Sequence, residues 1–195
     1  MATKKEKTRN YILDKSYPLF SGMGFKQVTM KDICTATGLS RGGLYSHFSS
    51  TAQVFEALLE KISAGNAYDI ESEIDKGASA TDILNASLSQ MKKEIGHPED
   101  SLSLAIFEYA QMNDPDEMIK LNRQAEEKWS KLIRYGIKRG EFKEADVSEM
   151  VSLIMYSYQG IRMWSKIIPM KKKISDQIIN HIKKQLIQEE PLCEA

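Results

Sequence analysis

Arg41, Tyr45 and His47 stand with the hydroxyls of Ser40, Ser46, Ser50 and Thr51 in one short stretch around the glycine pair Gly42-Gly43. These residue types do no bond-making chemistry at that spacing, but they suit recognition of a nucleic acid. An arginine can pair two-pronged with the edge of guanine, while tyrosine, imidazole and hydroxyl groups donate to phosphate oxygens without reading sequence. The two glycines remove side chains that would hold a backbone away from a groove. Catalytic alternatives find no support elsewhere: His47, His97 and His181 lie far apart without a neighbouring cysteine or carboxylate pattern, so no metal site is expected. No glycine-rich phosphate loop, nucleophile elbow or pair of strand-end carboxylates occurs. Neither an enzyme nor a cofactor is expected.

Such side chains need a rigid element to present them, and the stretch Thr29–Phe48 reads as a helix, a tight turn and a second helix. Thr29 is a good N-cap, and Met30, Ile33, Cys34 and Ala36 supply an apolar and small-residue face. Gly38 falls where a helix ends in a left-handed residue. Leu39 fills the corner, Ser40 caps the second helix, and Leu44 and Phe48 turn that helix inward, leaving Arg41, Gly42, Gly43, Tyr45, Ser46 and His47 outside. Two short helices crossing through a glycine turn bury one face only and can offer the second to a major groove. The bare motif also occurs in all-α proteins with no nucleic-acid role.

More residues than the turn carry the pattern. Leu19-Phe20, Gly24-Phe25, Val28-Thr29-Met30, Asp32-Ile33, Gly38-Leu39-Ser40, Gly42, Leu44-Tyr45, His47-Phe48 and Phe55 follow in an order and spacing that resembles the N-terminal domain of the tetracycline-repressor (TetR/AcrR) family of transcriptional regulators. The resemblance is dense over roughly the first 60 residues; beyond them the family shares only its helical architecture. Two departures bear on mechanism. Where the family has a lysine after the closing phenylalanine, this chain has Ser50-Thr51-Ala52, so a customary phosphate contact is missing or replaced by hydroxyls. Gly43 stands where the family has a small or β-branched residue. Consecutive glycines each cost a helix about 1 kcal/mol relative to alanine, which predicts a recognition helix completed on DNA, its backbone close to the groove and Arg41 as base reader.

Charge supports the same end of the chain as the contact region. The 195 residues carry no net charge, yet residues 1–50 hold eight basic side chains against three acidic ones, a balance of +5 that leaves −5 for the rest. Affinity for DNA is therefore expected to fall steeply with salt. Lys4, Lys5 and Lys7 form a basic arm, read either as a phosphate or minor-groove contact or as a solvated terminus. Cys34, read as a small buried core residue, and Cys193 are too few for a disulfide framework and fit a reducing cytoplasm. No stretch resembles a signal peptide or a membrane span.

Apolar periodicity predicts an all-α chain. A first helix runs from about Lys5 to Met23 with Ile12, Leu13, Tyr17, Leu19 and Phe20 inward, and Pro18 should kink or loosen its end. After the motif, helices are expected over Ser50–Asp75, Thr81–Gly96, Glu99–Asn113, Pro115–Arg139, Asp146–Ile168 and Ile174–Glu189, about nine in total, punctuated by Gly77, Pro98, Pro115, Gly140 and Pro169. This divides the chain into a helix-turn-helix domain, 1–49, and a helical regulatory and dimerisation domain, 50–195. Met150–Ile168 is apolar nearly all round and should be buried on several sides.

The resemblance implies further expectations. The helix after the motif links the DNA-reading part to the body, and the last two helices pair with their two-fold mates in a homodimer. Such a dimer places two recognition helices roughly 34–36 Å apart on a near-palindromic operator in double-stranded DNA. The DNA-contact residues it implies are Arg41 for bases, Tyr45 and His47 for phosphate positioning, and Thr29, Ser40, Ser50, Thr51, Lys5 and the backbone at Gly42 and Gly43. An unknown small apolar or amphipathic effector is expected in the body. Methionine and aromatic side chains make adaptable cavities, and Phe107, Tyr109, Met112, Trp129, Met155, Tyr158, Met163 and Trp164 are its candidate lining, with plain core packing as the alternative for each. Together these describe a ligand-released repressor; a DNA-binding architectural or interaction protein without ligand control is the alternative.

Overall fold

The computed structural model describes residues 3–65, 69–113, 115–171 and 173–188, with the side chains of 63–65 and 117 excepted. Among the described residues there are ten α-helices and one short 3-10 turn at Pro98–Asp100, with a single isolated β-bridge between Phe142 and Ile187. The helices are α1 (Lys4–Met23), α2 (Met30–Thr37), α3 (Arg41–Tyr45), α4 (Thr51–Gly65), α5 (Ile70–Asp75), α6 (Ala80–Ile95), α7 (Ser103–Met112), α8 (Asp116–Lys138), α9 (Val147–Trp164) and α10 (Lys173–Leu186). They pack as two compact units, one of residues 1–67 with 99–115 and one of 68–98 with 116–195.

The first unit holds α1 to α4 together with α7. The first helix starts earlier than its apolar pattern suggests, because Thr3 and Glu6 form a capping box: the Thr3 hydroxyl accepts from the Glu6 N–H at 3.2 Å and the Glu6 carboxylate accepts from the Thr3 N–H at 2.6 Å. The Thr3 N–H, and then the Thr3 hydroxyl donating to the same carboxylate at 3.0 Å, hold the Glu6 carboxyl below its ordinary pKa. Lys4, Lys5 and Lys7 thus lie in the first turns of α1 rather than on an arm preceding it. Pro18 sits inside α1, which continues to Met23 and ends at Gly24 with φ 80°. The positive φ favours glycine there, and a Cβ on Gly24 would stand 2.5 Å from a carboxylate oxygen of Glu108 on α7, displacing the group that accepts from the Lys26 N–H. The core is an aromatic cluster of Phe20, Phe25, Phe55 and Tyr109 with neighbouring ring centroids 4.8 to 6.2 Å apart, Phe25 and Tyr109 meeting edge to face. Ile12, Ile33, Leu44, Phe48 and Val54 complete it, all within 1 % of full burial.

The second unit holds α5, α6, α8, α9 and α10 around Ile83, Leu84, Leu88, Leu132, Ile133, Phe142, Ile154 and Leu186. The segment 50–75 differs from the single helix predicted: Asp69 has an extended backbone and caps α5 by accepting from the Glu71 N–H at 3.1 Å, so the helical run is divided. This division is why ten helices stand where about nine are expected. The isolated bridge ties the loop after α8 to the end of α10, with the Lys143 N–H donating to the Leu186 carbonyl at 2.7 Å. The α9 run is not buried on all sides within one chain. Met150, Val151, Ile154, Met155 and Ile161 face the core, whereas Tyr156, Trp164, Ile167 and Ile168 are at least half exposed.

Candidate nucleic-acid interface

The capping chemistry around α2 and α3 follows from a few short side chains. The Thr29 hydroxyl accepts from the Asp32 N–H and donates to the Asp32 carboxylate at 2.6 Å, while that carboxylate accepts from the Thr29 N–H at 2.9 Å. The Thr29 hydroxyl and then its backbone N–H hold the Asp32 carboxyl below its ordinary pKa, so a negative charge stays at the positive end of α2. The far end closes at Gly38, left-handed at φ 70°, whose N–H reaches the Cys34 carbonyl. Cys34 is half-buried, packed against the core rather than fully enclosed in it. Cys193 lies outside the described residues.

Ser40 caps α3 by accepting from the Gly43 N–H at 3.1 Å, and Leu44 and Phe48 anchor the helix in the core. The helix spans five residues, Arg41–Tyr45. Beyond it the Ser46 N–H donates to the Gly42 carbonyl and the Phe48 N–H to the Leu44 carbonyl, so the chain keeps a helical course to the buried phenylalanine. Arg41 is exposed and, among the described residues, makes no intramolecular hydrogen bond or ion pair. Tyr45 is 44 % exposed beside it, and Gly42 faces open space. His47 is turned further in: it is half-buried and its Nδ1 is buried without a hydrogen-bond partner. Ser50 accepts from the Gln53 N–H at 3.2 Å, capping the following helix, of which Thr51 is the first residue. Lys5 is exposed on α1. Arg41, Gly42, Tyr45 and Ser46 are therefore the exposed members of α3 and its immediate end, all within the first unit.

Comparison with known proteins decides the family. Residues 12–58 match the pattern of the bacterial regulatory proteins of the tetR family, and residues 82–187 match the C-terminal region of QacR-like proteins. The chain belongs to the TetR family. It is a DNA-binding transcriptional regulator and, like the family's other members, not an enzyme. It is 29 % identical over 147 residues to the HTH-type transcriptional regulator YfiR of Bacillus subtilis, covering 71 % of this chain and 70 % of that protein. The HTH-type transcriptional repressor KstR2 of Rhodococcus jostii is 24 % identical over 153 residues, with 71 % and 70 % covered. A TetR-family regulator from Cytophaga hutchinsonii has the same fold, with a TM-score of 0.76 at 16 % identity over 97 % of this chain and 100 % of that structure.

Two groups of this TetR regulator that sequence reasoning did not single out are Arg9 and Tyr11. The Arg9 Nη1 donates to the His47 carbonyl at 2.7 Å and its guanidinium lies 4.0 Å above the centre of the Phe48 ring; the Tyr11 hydroxyl donates to the Thr37 carbonyl at 3.1 Å. Their partners are backbone carbonyls 38 and 26 residues away, for which a sequence carries no signal. The candidate effector residues are not brought together within one unit. Phe107, Tyr109 and Met112 belong to the first, where Tyr109 is buried core and its hydroxyl donates to Glu56, while Phe107 and Met112 are exposed. The other five belong to the second: Trp129 packs against its core, Met155 is buried, Met163 is half-buried and Trp164 is exposed. Tyr158 donates its hydroxyl to Glu94 and accepts from Arg162 at 2.9 Å. Among the described residues no helix is long and apolar enough to cross a membrane.

Proposed function

We propose that this TetR-family regulator is a dimeric repressor that reads a near-palindromic operator through α3 and is released by a small apolar or amphipathic ligand. The observation that carries the reading is the pairing of Arg41, exposed and without an intramolecular partner, with Gly42, whose missing side chain leaves open space. Neither residue is explained by packing within the chain; both suit a groove approached by backbone and read by one guanidinium. Tyr45 and His47 position the protein on phosphates, helped by the hydroxyls of Thr29, Ser40, Ser50 and Thr51, by Lys5 and by the backbone at Gly43. The DNA-binding part is residues 1–49 and the regulatory part 50–195. The repressor sense is supported by the likeness to KstR2.

The exposed apolar side chains Tyr156, Trp164, Ile167 and Ile168 support a homodimer through the last two helices, since a single chain leaves them in water. Effector binding in the second unit, among Trp129, Met155, Tyr158, Met163 and Trp164, acts by favouring an arrangement that fits DNA less well. The cytoplasm is the expected compartment. The test is selection of bound sequences from a random duplex library at low and high salt. Recovery of a near-palindrome supports the reading, whereas sequence-blind, salt-sensitive binding alone defeats it.

A further inference from the structure

The recognition helix of this chain is poorly equipped to hold its own orientation. It has five residues, two of them adjacent glycines, and its only apolar anchors are Leu44 within it and Phe48 beyond it. A helix this short makes few internal bonds to hold it. Both motif helices nevertheless have a carbonyl near their C-terminal end occupied, and by the same neighbour. Arg9 and Tyr11, two residues apart on α1, reach the carbonyl of His47 past α3 and that of Thr37 at the end of α2.

We propose that Arg9 is a positioning residue for DNA reading: with Tyr11 it clamps the helix-turn-helix from behind and sets the angle at which α3 presents Arg41. This rests on the reading of α3 as the recognition helix. Three features single out Arg9. Its guanidinium bonds a carbonyl at the negative end of the helix, where a cation is favoured. The same group lies 4.0 Å from the centre of the ring of Phe48, the buried anchor of that end, so one side chain contacts both the backbone and the ring. And it is half-buried, with one nitrogen committed to the His47 carbonyl, which distinguishes it from exposed Arg41. A lysine keeps the charge but has no planar group to stack and bond together.

The experiment compares Arg9→Gln and Arg9→Lys in the full chain, using the sequence recovered from the library. We expect both variants to bind it at least 10-fold more weakly, with melting temperatures within a few degrees of the parent and an unchanged slope of log affinity against log salt. A phosphate contact behaves differently: lysine restores binding, and glutamine lowers the slope by about 0.9. Either of those results, or parental affinity in both variants, overturns the proposal. Hydrogen exchange without DNA separates the clamp from the reading of α3. The Leu44, Ser46 and Phe48 amides should exchange at least 10-fold faster in both variants, with those of α6 unchanged. Unchanged exchange overturns the clamp even if an operator is found; faster exchange in a protein that selects no sequence supports the clamp and defeats only the DNA reading.

Discussion

Gly136 lies directly beneath the ring of Phe142, so close that a Cβ on the glycine would stand 2.2 Å from the ring's Cδ2. The glycine sits within α8, where alanine is ordinarily preferred by about 1 kcal/mol. Here the ring takes the volume, and Phe142 is fully buried where the loop after α8 meets the end of α10. Gly136→Ala should therefore destabilise the protein, by about 1–3 kcal/mol, as overpacking does. Urea unfolding of the single variants and of Gly136→Ala with Phe142→Ala tests the cause. The double variant should cost less than the two single ones together, because removing the ring removes the clash.

Glu141 should make the protein acid-sensitive. Burial works to raise its pKa, but the Ser79 hydroxyl at 2.7 Å, the Thr81 N–H at 2.9 Å and Arg139 together outweigh it and bring the value down to about 2. A carboxyl depressed from 4.5 in the folded state contributes stability that is fully present above the unfolded value and is lost as pH falls from about 4.5 towards 2. At most about 3 kcal/mol is involved. Urea unfolding between pH 6 and pH 3 should show a decline that is shallower in Glu141→Gln; parallel curves would remove Glu141 as its source.

The two glycines of α3 should respond oppositely to alanine. A methyl at Gly42 meets nothing, whereas one at Gly43 would lie 3.2 Å from the Ser40 hydroxyl that caps the helix. Gly42→Ala is expected to stabilise the free protein by up to about 1 kcal/mol yet weaken operator binding, because the space it fills is the space DNA approaches. Gly43→Ala should press on the cap and give little or no gain in stability. Melting temperatures and operator affinities measured on the same preparations decide both; tighter binding by Gly42→Ala would refute close approach at that position.

Arg41→Ala should leave the melting temperature unchanged, since the side chain has no partner within the described chain. It should cost about 1–3 kcal/mol of operator affinity and relax the preference at one base pair. Tyr45→Phe, by contrast, should weaken all sequences about equally. Repeating the library selection with each variant reads the two effects apart, and an unaltered preference with Arg41→Ala removes base readout from that residue.

Trp164→Glu tests the dimer. The residue is 55 % exposed in the single chain, so a charge there leaves the fold intact but is costly at an apolar interface. Sedimentation should show a parent dimer dissociating in the variant, with helical content retained. A variant as dimeric as the parent would place the interface elsewhere.

The amino-acid sequence by itself determined the all-α class, the caps at Thr29 and Ser40, the left-handed turn at Gly38 and the inward set Leu44, Phe48 and Phe55. These depend on interactions within a few residues: a hydroxyl reaching an N–H three positions on, a glycine adopting positive φ, an apolar stripe repeating every turn. The division between α4 and α5 did carry a local signal, Gly65-Asn66 where a helix commonly ends and Asp69 as the next cap, but the apolar spacing of Val54, Phe55, Leu58, Leu59 and Ile62 outweighed it. Only tertiary structure decided that α7 packs with the first four helices, that Gly136 serves Phe142, and that Arg9 and Tyr11 grip the carbonyls of His47 and Thr37. In each of these the partner lies in a distant part of the chain or is a backbone atom common to every residue, so no residue type or spacing announces it.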